Sequence, residues 1–295
     1  MKKNNRNDFY KYVSPRVTKL VIENQKIKWS APSLFNDPFD HRFNFLDVDF
    51  DKFKVKFIKR FEELIFDSDK PIITTTEQGQ MLYEIRLNRR NLPRDEFKEK
   101  MKEFTDNFSE TSKQILPIMQ KEVNDFLSKS RVLCLTKNHE NLLMWSHYGP
   151  SHTGAVFRFD IDESMDINLS LAQPVEYKAV FPSIATEEEW IDNFLCVKDI
   201  NFGERYYKAI CTKSTEWEYE KEWRLSIYGD DNEPDGSGYL QYPKDIFGAL
   251  YLGLKMKFED KRDIVTLAEK HLPSMEIWEA NIRKNEFKLD FQRTK

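Results

Sequence analysis

Glycine is scarce in this chain. There are nine in 295 residues, and none precedes Gly79, where average usage would give about twenty. Neither G-x-G-x-x-G nor G-x-x-x-x-G-K-[ST] occurs, so any nucleotide is held by side chains and not by a loop of backbone amides wrapped around its phosphates. The closest pair, Gly236 and Gly238, lies in the turn-like run DDNEPDGSG without a third glycine. Cysteine is also sparse. Cys134, Cys196 and Cys211 are odd in number and widely spaced, which argues against a disulfide framework or a zinc site and for reduced thiols in a cytoplasmic protein. No run of eighteen apolar residues is present, so no transmembrane helix is predicted. The start, MKKNNRNDFYKYV, lacks the apolar core of a secretory signal. Neither sign of charge dominates: the net charge is −4, which gives no general drive toward nucleic acid, although a local basic face is compatible with that balance.

What is present suits a packed globular chain. Hydrophobic residues make up 40%, with 23 Phe, 12 Tyr and 6 Trp, and a third of the chain is charged, enough to fill a core and cover its surface. Residues 8–45 read as strand, helix, strand and loop. Phe9–Val13 is short and aromatic, Pro15 fits a helix start, and Val17, Leu20, Val21 and Asn24 follow at helical spacing. Ile27–Ser30 alternates, and SLFNDPFD is turn chemistry. Residues 48–129 read as a helical insertion. Its apolar stripes are Phe50, Phe53, Phe57, Phe61, Leu64 and Ile65; Phe97, Met101, Phe104 and Phe108; and Ile115, Ile118, Met119, Val123 and Phe126. Core packing explains such stripes better than a lipid or partner-helix role.

From 130 onward strands and helices mix. Strands are predicted at 131–136, 154–160, 175–177, 222–228, 249–252, 275–278 and 286–292, and helices at 140–148, 186–198, 202–213 and 257–271. Strands without a regular βαβ rhythm favour α+β over a doubly wound sheet. The expected organisation is one domain, 1–295, with the helical insertion at about 48–129.

Four clusters place polar groups where packing does not require them: Tyr10-Lys11-Tyr12; Phe35-Asn36-Asp37-Pro38-Phe39-Asp40; Met144-Trp145-Ser146-His147-Tyr148 with His152 and Gly154; and Lys213 through Arg224. Each has a plain structural alternative. Asn36 and Asp37 before Pro38 can simply build an Asx-turn. Trp145 and Tyr148, at i and i+3, suit either a core or a stacking platform. His147 and His152 are the histidines best placed for acid–base work, against a merely structural role. The spacings of His139, His147 and His152 are not those of a helical metal pair, so no metal is expected.

Read in order, WSAPSLFNDPFD, LLMWSHYGPSHTGAVFRFD and KSTEWEYEKEWRL resemble the bacterial family DUF2971. At the level of fold, Tyr10-Lys11-Tyr12 on a first strand, a helix, and Trp29-Ser30 on a second strand look like the opening of ADP-ribosyltransferase-type domains. That second resemblance implies an α+β fold with a split mixed and antiparallel sheet, and NAD as substrate in a cleft. It implies a late glutamate, Glu220 or Glu222, as the carboxylate facing the transition state; Glu222 is chosen for that role, with Glu220 beside it positioning the acceptor. It also implies Lys11 and Tyr12 as NAD contacts from the first strand and Arg224 as the orienter of a carboxylate or phosphate. The usual His or Arg of the first strand is replaced here by Lys11 or Tyr12. His147 joins the candidate catalytic set, and Ser30, Asn36, Asp37, Trp145, Tyr148 and His152 the candidate cofactor-binding set. The acceptor would be a protein, a nucleic acid or water, with no membrane partner, as in a toxin or phage-defence effector.

The physics of that reading is independent of the resemblance. Breaking the nicotinamide–ribose bond develops an oxocarbenium cation, which an ionised carboxylate stabilises. Glu220 and Glu222, two apart in an extended strand, would share one face, either toward the cleft or toward solvent beside Lys221 and Arg224. Two rival readings remain: a non-catalytic binding module built from the same clusters, and a magnesium nuclease using Glu176-x-Lys178 with Asp160 and Asp162.

Overall fold

The computed structural model describes residues 6–44, 49–162, 168–229 and 237–294. In chain order it runs β1 (Arg6–Val13), α1 (Pro15–Asn24), β2 (Lys26–Ser30), α2 (Phe50–Phe66), α3 (Glu77–Leu87), α4 (Arg94–Ser128) and β3 (Ser130–Thr136). Then follow α5 (Leu142–His147), β4 (Ala155–Asp162), β5 (Gln173–Pro174), β6 (Glu176–Lys178), α6 (Glu187–Phe194), α7 (Phe202–Ile210), β7 (Thr212–Ser214) and β8 (Glu222–Tyr228). The chain ends with β9 (Ser237–Gln241), β10 (Phe247–Leu252), α8 (Phe258–His271), β11 (Glu276–Ile282) and β12 (Leu289–Arg293). Among the described residues no helix is long and apolar enough to cross a membrane.

The residues fall into two compact units, one of Met1–Asp40, Ser128–Ala179 and Cys211–Lys295, the other of His41–Leu127 and Val180–Ile210. The first holds a mixed ten-stranded sheet ordered β12-β11-β10-β4-β1-β3-β2-β9, with β8 on β3 and β5 on β8. Its ladders are antiparallel except β10 against β11. The short pair β6 and β7 is parallel. The α+β class expected from the strand rhythm is therefore present, as a mixed sheet.

Local chemistry explains the elements that frame this sheet. Ser14 caps α1, its Oγ accepting from the Val17 amide at 3.3 Å, Pro15 occupies the first turn, and Gln25 ends the helix in the left-handed region at φ 51°. The buried residues of α1 are Thr18, Val21 and Ile22, whereas Leu20 is half exposed. Val21 and Ile22 join Phe157, Phe159, Leu133, Leu225, Ile264 and Ala268 in the main core, which places α1 and α8 together on one face of the sheet. Ser14→Ala is expected to cost about 1 kcal/mol, the usual worth of a lost N-cap. Urea midpoints would show it; an unchanged midpoint would mean the cap contributes nothing.

The second unit is helical. Phe53, Phe57, Phe61, Leu64 and Ile65 of α2 pack with Leu82, Phe97, Trp190 and Ile191. Met101 and Val123 flank this core, while Ile118 is 58% exposed and faces outward. The side chains of Phe50, Phe104, Phe108, Ile115, Met119 and Phe126 lie outside the described ones.

Three elements differ from the sequence reading. The helix expected over 202–213 stops at Ile210, and Thr212–Ser214 form β7 beside β6. Ser237–Gln241, which the sequence reading left in a turn-rich stretch, form a strand paired with β2 from Lys26↔Gln241 to Ser30↔Ser237. Glu220 does not belong to β8; it closes the 3₁₀ turn Thr215–Glu220, and Lys221 is left-handed at φ 49° before the strand opens at Glu222.

Candidate functional site

β3 pairs with β8 along its whole length, from Ser130↔Tyr228 to Thr136↔Glu222. On its other side it meets β2 only at Ser30↔Val132 and β1 only at Tyr10↔Thr136. The sheet therefore forks at β3. A cavity of about 320 Å³ lies at the fork, lined by Lys11 of β1, Ser30 of β2, Val132, Cys134 and Thr136 of β3, and Glu222 and Arg224 of β8. In the β3–β8 ladder Cys134 stands opposite Arg224 and Thr136 opposite Glu222, and alternation keeps all four on one face. Lys11 reaches into the fork and donates from Nζ to the Cys134 carbonyl at 3.1 Å.

The chemistry of the cavity is one buried ionic network. Arg224, with no exposed surface, donates from Nε and Nη2 to the two oxygens of Glu222, each at 2.9 Å. The same guanidinium donates to Asp40, Nη1 to Oδ1 at 2.8 Å and Nη2 to Oδ2 at 2.6 Å. Two bidentate forks on one planar cation need the geometry that arginine has and lysine lacks. Lys213 of β7 lies 2.6 Å from Glu220 Oε2 and 3.3 Å from Glu222 Oε2, with the Trp217 ring 4.7 Å away. Tyr148, just after α5, donates its hydroxyl to Glu220 Oε1 at 2.7 Å. Tyr177 of β6 accepts the backbone N–H of Glu222 at 2.8 Å, and Thr136 donates to the Glu220 carbonyl at 2.6 Å.

Glu220 and Glu222 therefore meet, but not as neighbours on one strand face. The left-handed Lys221 turns Glu220 back, and Lys213 gathers the two carboxylates from the adjoining ribbon.

These contacts set the protonation states. Burial by itself would raise the Glu222 carboxyl, but Arg224 and Lys213 outweigh it and hold Glu222 well below the usual carboxylate range. Glu220 moves the other way: burial lifts it, Lys213 opposes the rise and Glu222 adds to it. Burial lowers the Lys11 ammonium and raises the Cys134 thiol. Lys213 stays firmly protonated, since the carboxylates beside it offset the burial. Burial, with Glu220 alongside, pushes the Tyr148 hydroxyl far up.

Nine of the twelve candidate residues line the cavity: Lys11, Tyr12, Ser30, Asn36, His147, Tyr148, Glu220, Glu222 and Arg224. Tyr12 contributes a wall rather than a polar contact, because its hydroxyl is spent on the Asn138 carbonyl at 3.1 Å. His147 is exposed and meets the Trp217 ring edge-on at 6.3 Å. Three candidates lie elsewhere. Asp37 accepts from the Phe39 amide at 2.9 Å, which is the Asx-turn. Trp145 has no exposed surface, donates its indole N–H to the His139 carbonyl and packs against Tyr12 in the core. His152 stacks parallel to Trp145 and lies 3.3 Å from Ser146 Oγ.

The sequence reading assigned no site role to Asp40, Cys134, Tyr177 or Lys213. Asp40 and Lys213 stand inside the clusters FNDPFD and KSTEWEYEKEWR, but lysine and aspartate default to the surface. The rival nuclease residues are not gathered. Glu176 and Lys178 pair with one another at 2.8 Å on β6, Asp160 of β4 pairs with Arg158 at 2.7 Å, and the side chain of Asp162 is outside the described ones. Among the described residues no group of three or more His, Cys, Asp or Glu is placed to hold a metal ion.

No curated protein and no solved structure matches the chain. The family model described as protein of unknown function, DUF2971, matches residues 144–225, the stretch that carries Tyr148, Tyr177, Lys213, Glu220, Glu222 and Arg224, so over these residues the chain resembles that family as the strings WSHYGP and YEKEWRL imply.

Proposed function

We propose that this cavity binds NAD and cleaves it between nicotinamide and ribose, as an ADP-ribosyltransferase or NAD glycohydrolase. The observation that carries the reading is convergence: residues from all four polar clusters, including Lys11, Asn36, Tyr148 and Glu222, line one cavity at the fork of the sheet. A volume of about 320 Å³ is at the small end for ligand pockets, which suits the nicotinamide–ribose end with the remainder outside. Glu222 is kept ionised by Arg224 and Lys213, the state that faces an oxocarbenium cation. A carboxylate offers about four acceptor sites. On Glu222 they go to Arg224 twice, to Lys213 and to the Cys134 thiol. A thiol is the weakest donor of the four, so a ribose hydroxyl takes its place. Tyr12 and Phe35 supply apolar wall.

One observation favours a second reading. The paired state of Asp40, Glu220 and Glu222 also suits a binding module that holds a nucleotide without turning it over. Incubation of the purified protein with NAD separates the two. Free nicotinamide, followed by chromatography, is expected to appear faster than in the protein-free control. NAD binding by calorimetry without nicotinamide release would move the protein to the binding reading, and neither binding nor release would overturn both.

A further inference from the structure

We propose that the acceptor which captures the ribosyl cation is a hydroxyl group, of water or of an alcohol, activated by Tyr148 with Glu220 behind it, and not a guanidinium. This rests on the NAD reading above. A guanidinium is recognised by a carboxylate whose oxygens face it bidentately. Here Asp40, Glu220 and Glu222 are already committed to Arg224 and Lys213. A neutral hydroxyl needs no such fork.

Tyr148 is placed to activate it. Its ring lines the cavity, its oxygen interacts with the Asn36 side chain, and its proton points at Glu220 Oε1. A phenol oxygen has two lone pairs, so one remains for the acceptor's proton. Glu220 accepts from Tyr148 on one oxygen and from Lys213 on the other, the pattern of an ionised carboxylate.

In the reaction the bond from the ribose anomeric carbon to the nicotinamide nitrogen breaks, its electron pair leaving with nicotinamide. The acceptor oxygen then bonds that carbon. The acceptor proton passes to the Tyr148 oxygen as the Tyr148 proton passes to Glu220 Oε1. The charged and titratable groups that face Glu220 are Tyr148 from the end of α5, Lys213 from β7, Glu222 from the start of β8, Tyr177 from β6 and its own neighbour Tyr219. Because burial lifts Glu220 above its ordinary range and the base form is the ionised one, kcat/KM rises with pH through that raised value and then levels.

The test supplies NAD with methanol or with agmatine and identifies products by mass spectrometry. ADP-ribose and methyl ADP-riboside are expected; an agmatine adduct overturns the proposal. Tyr148→Phe is expected to lower kcat about a hundredfold, the low end for a lost acid–base group, with NAD binding by calorimetry unchanged. Glu220→Gln is expected to flatten the acidic limb of the kcat/KM profile. Tyr148→Phe, which removes one oxygen from a partly buried ring, carries the test alone if Glu220→Gln does not fold. NAD cleavage at the wild-type rate in Tyr148→Phe, with the pH profile unchanged, sinks the relay and leaves the NAD reading standing. No nicotinamide release from the wild type removes both.

Discussion

Arg224→Met is expected to lose about 3–5 kcal/mol of stability, the cost of removing one partner from a buried ion pair. At roughly 2–4 °C per kcal/mol for a chain of this size, the thermal midpoint would fall by about 10 °C. Arg224 has no exposed surface and is bidentate to both Asp40 and Glu222. Methionine fills much of the volume and leaves those carboxylates facing each other in a dry site. The pH dependence identifies the cause.

In the wild type Glu222 titrates below its unfolded value. Its contribution is therefore fully present above the unfolded carboxylate range and is lost as pH falls through the folded value. In the variant burial and the neighbouring Asp40 and Glu220 carboxylates outweigh Lys213 alone, so ionising Glu222 costs stability and acid relieves the cost. The gap between wild type and variant should widen from about pH 4 to pH 7, spanning the ordinary carboxylate range. Urea melts at the two ends check it. A gap that stays constant would mean that packing, not charge, accounts for the loss.

Glu222→Gln is expected to reduce nicotinamide release by about a thousandfold, the upper range for removing one preorganised electrostatic contact to a transition state. The amide keeps the shape and two hydrogen-bonding atoms, so KM for NAD should change little while kcat falls, the signature of an interaction made in the transition state alone. The variant must remain folded, and its stability at low pH, where the wild type loses the Glu222 contribution, provides that control. Turnover at the wild-type rate would remove Glu222 from the chemistry and, with it, the assigned role of β8.

Much of the frame was legible. Pro15 marks the start of α1, the alternation of Ile27 and Trp29 marks β2, and EWRLSIY marks β8, because helix starts, burial and period are local properties. β9 was not legible: SGYLQ carries a glycine and follows a turn-rich run, and its strand state comes from pairing with β2, more than 200 positions away in sequence. Nor was the true arrangement of the two glutamates, because nothing in EYEKEW announces a left-handed Lys221. Lys213 shows the general reason. A lysine between Thr212 and Ser214 looks like a solvated residue, and only three carboxylates delivered from elsewhere make it a buried one. Trp145 is the converse: a residue type suited to stacking on a ligand that the fold instead spends on its own core.

The span of the Arg224–Asp40 contact has a consequence for the nascent chain. The two residues are 184 positions apart, and Lys11 with Cys134 spans another 123. Contacts of such separation close late, after the loop between them has been paid for in entropy. A chain emerging from the ribosome presents Lys11 and Asn36 first, yet cannot complete the cavity until residue 224 has been made and has reached β3. Here the last-made strand of the site supplies both Glu222 and the guanidinium that keeps it charged, so a partial chain lacks the ionic network at the centre of the cavity.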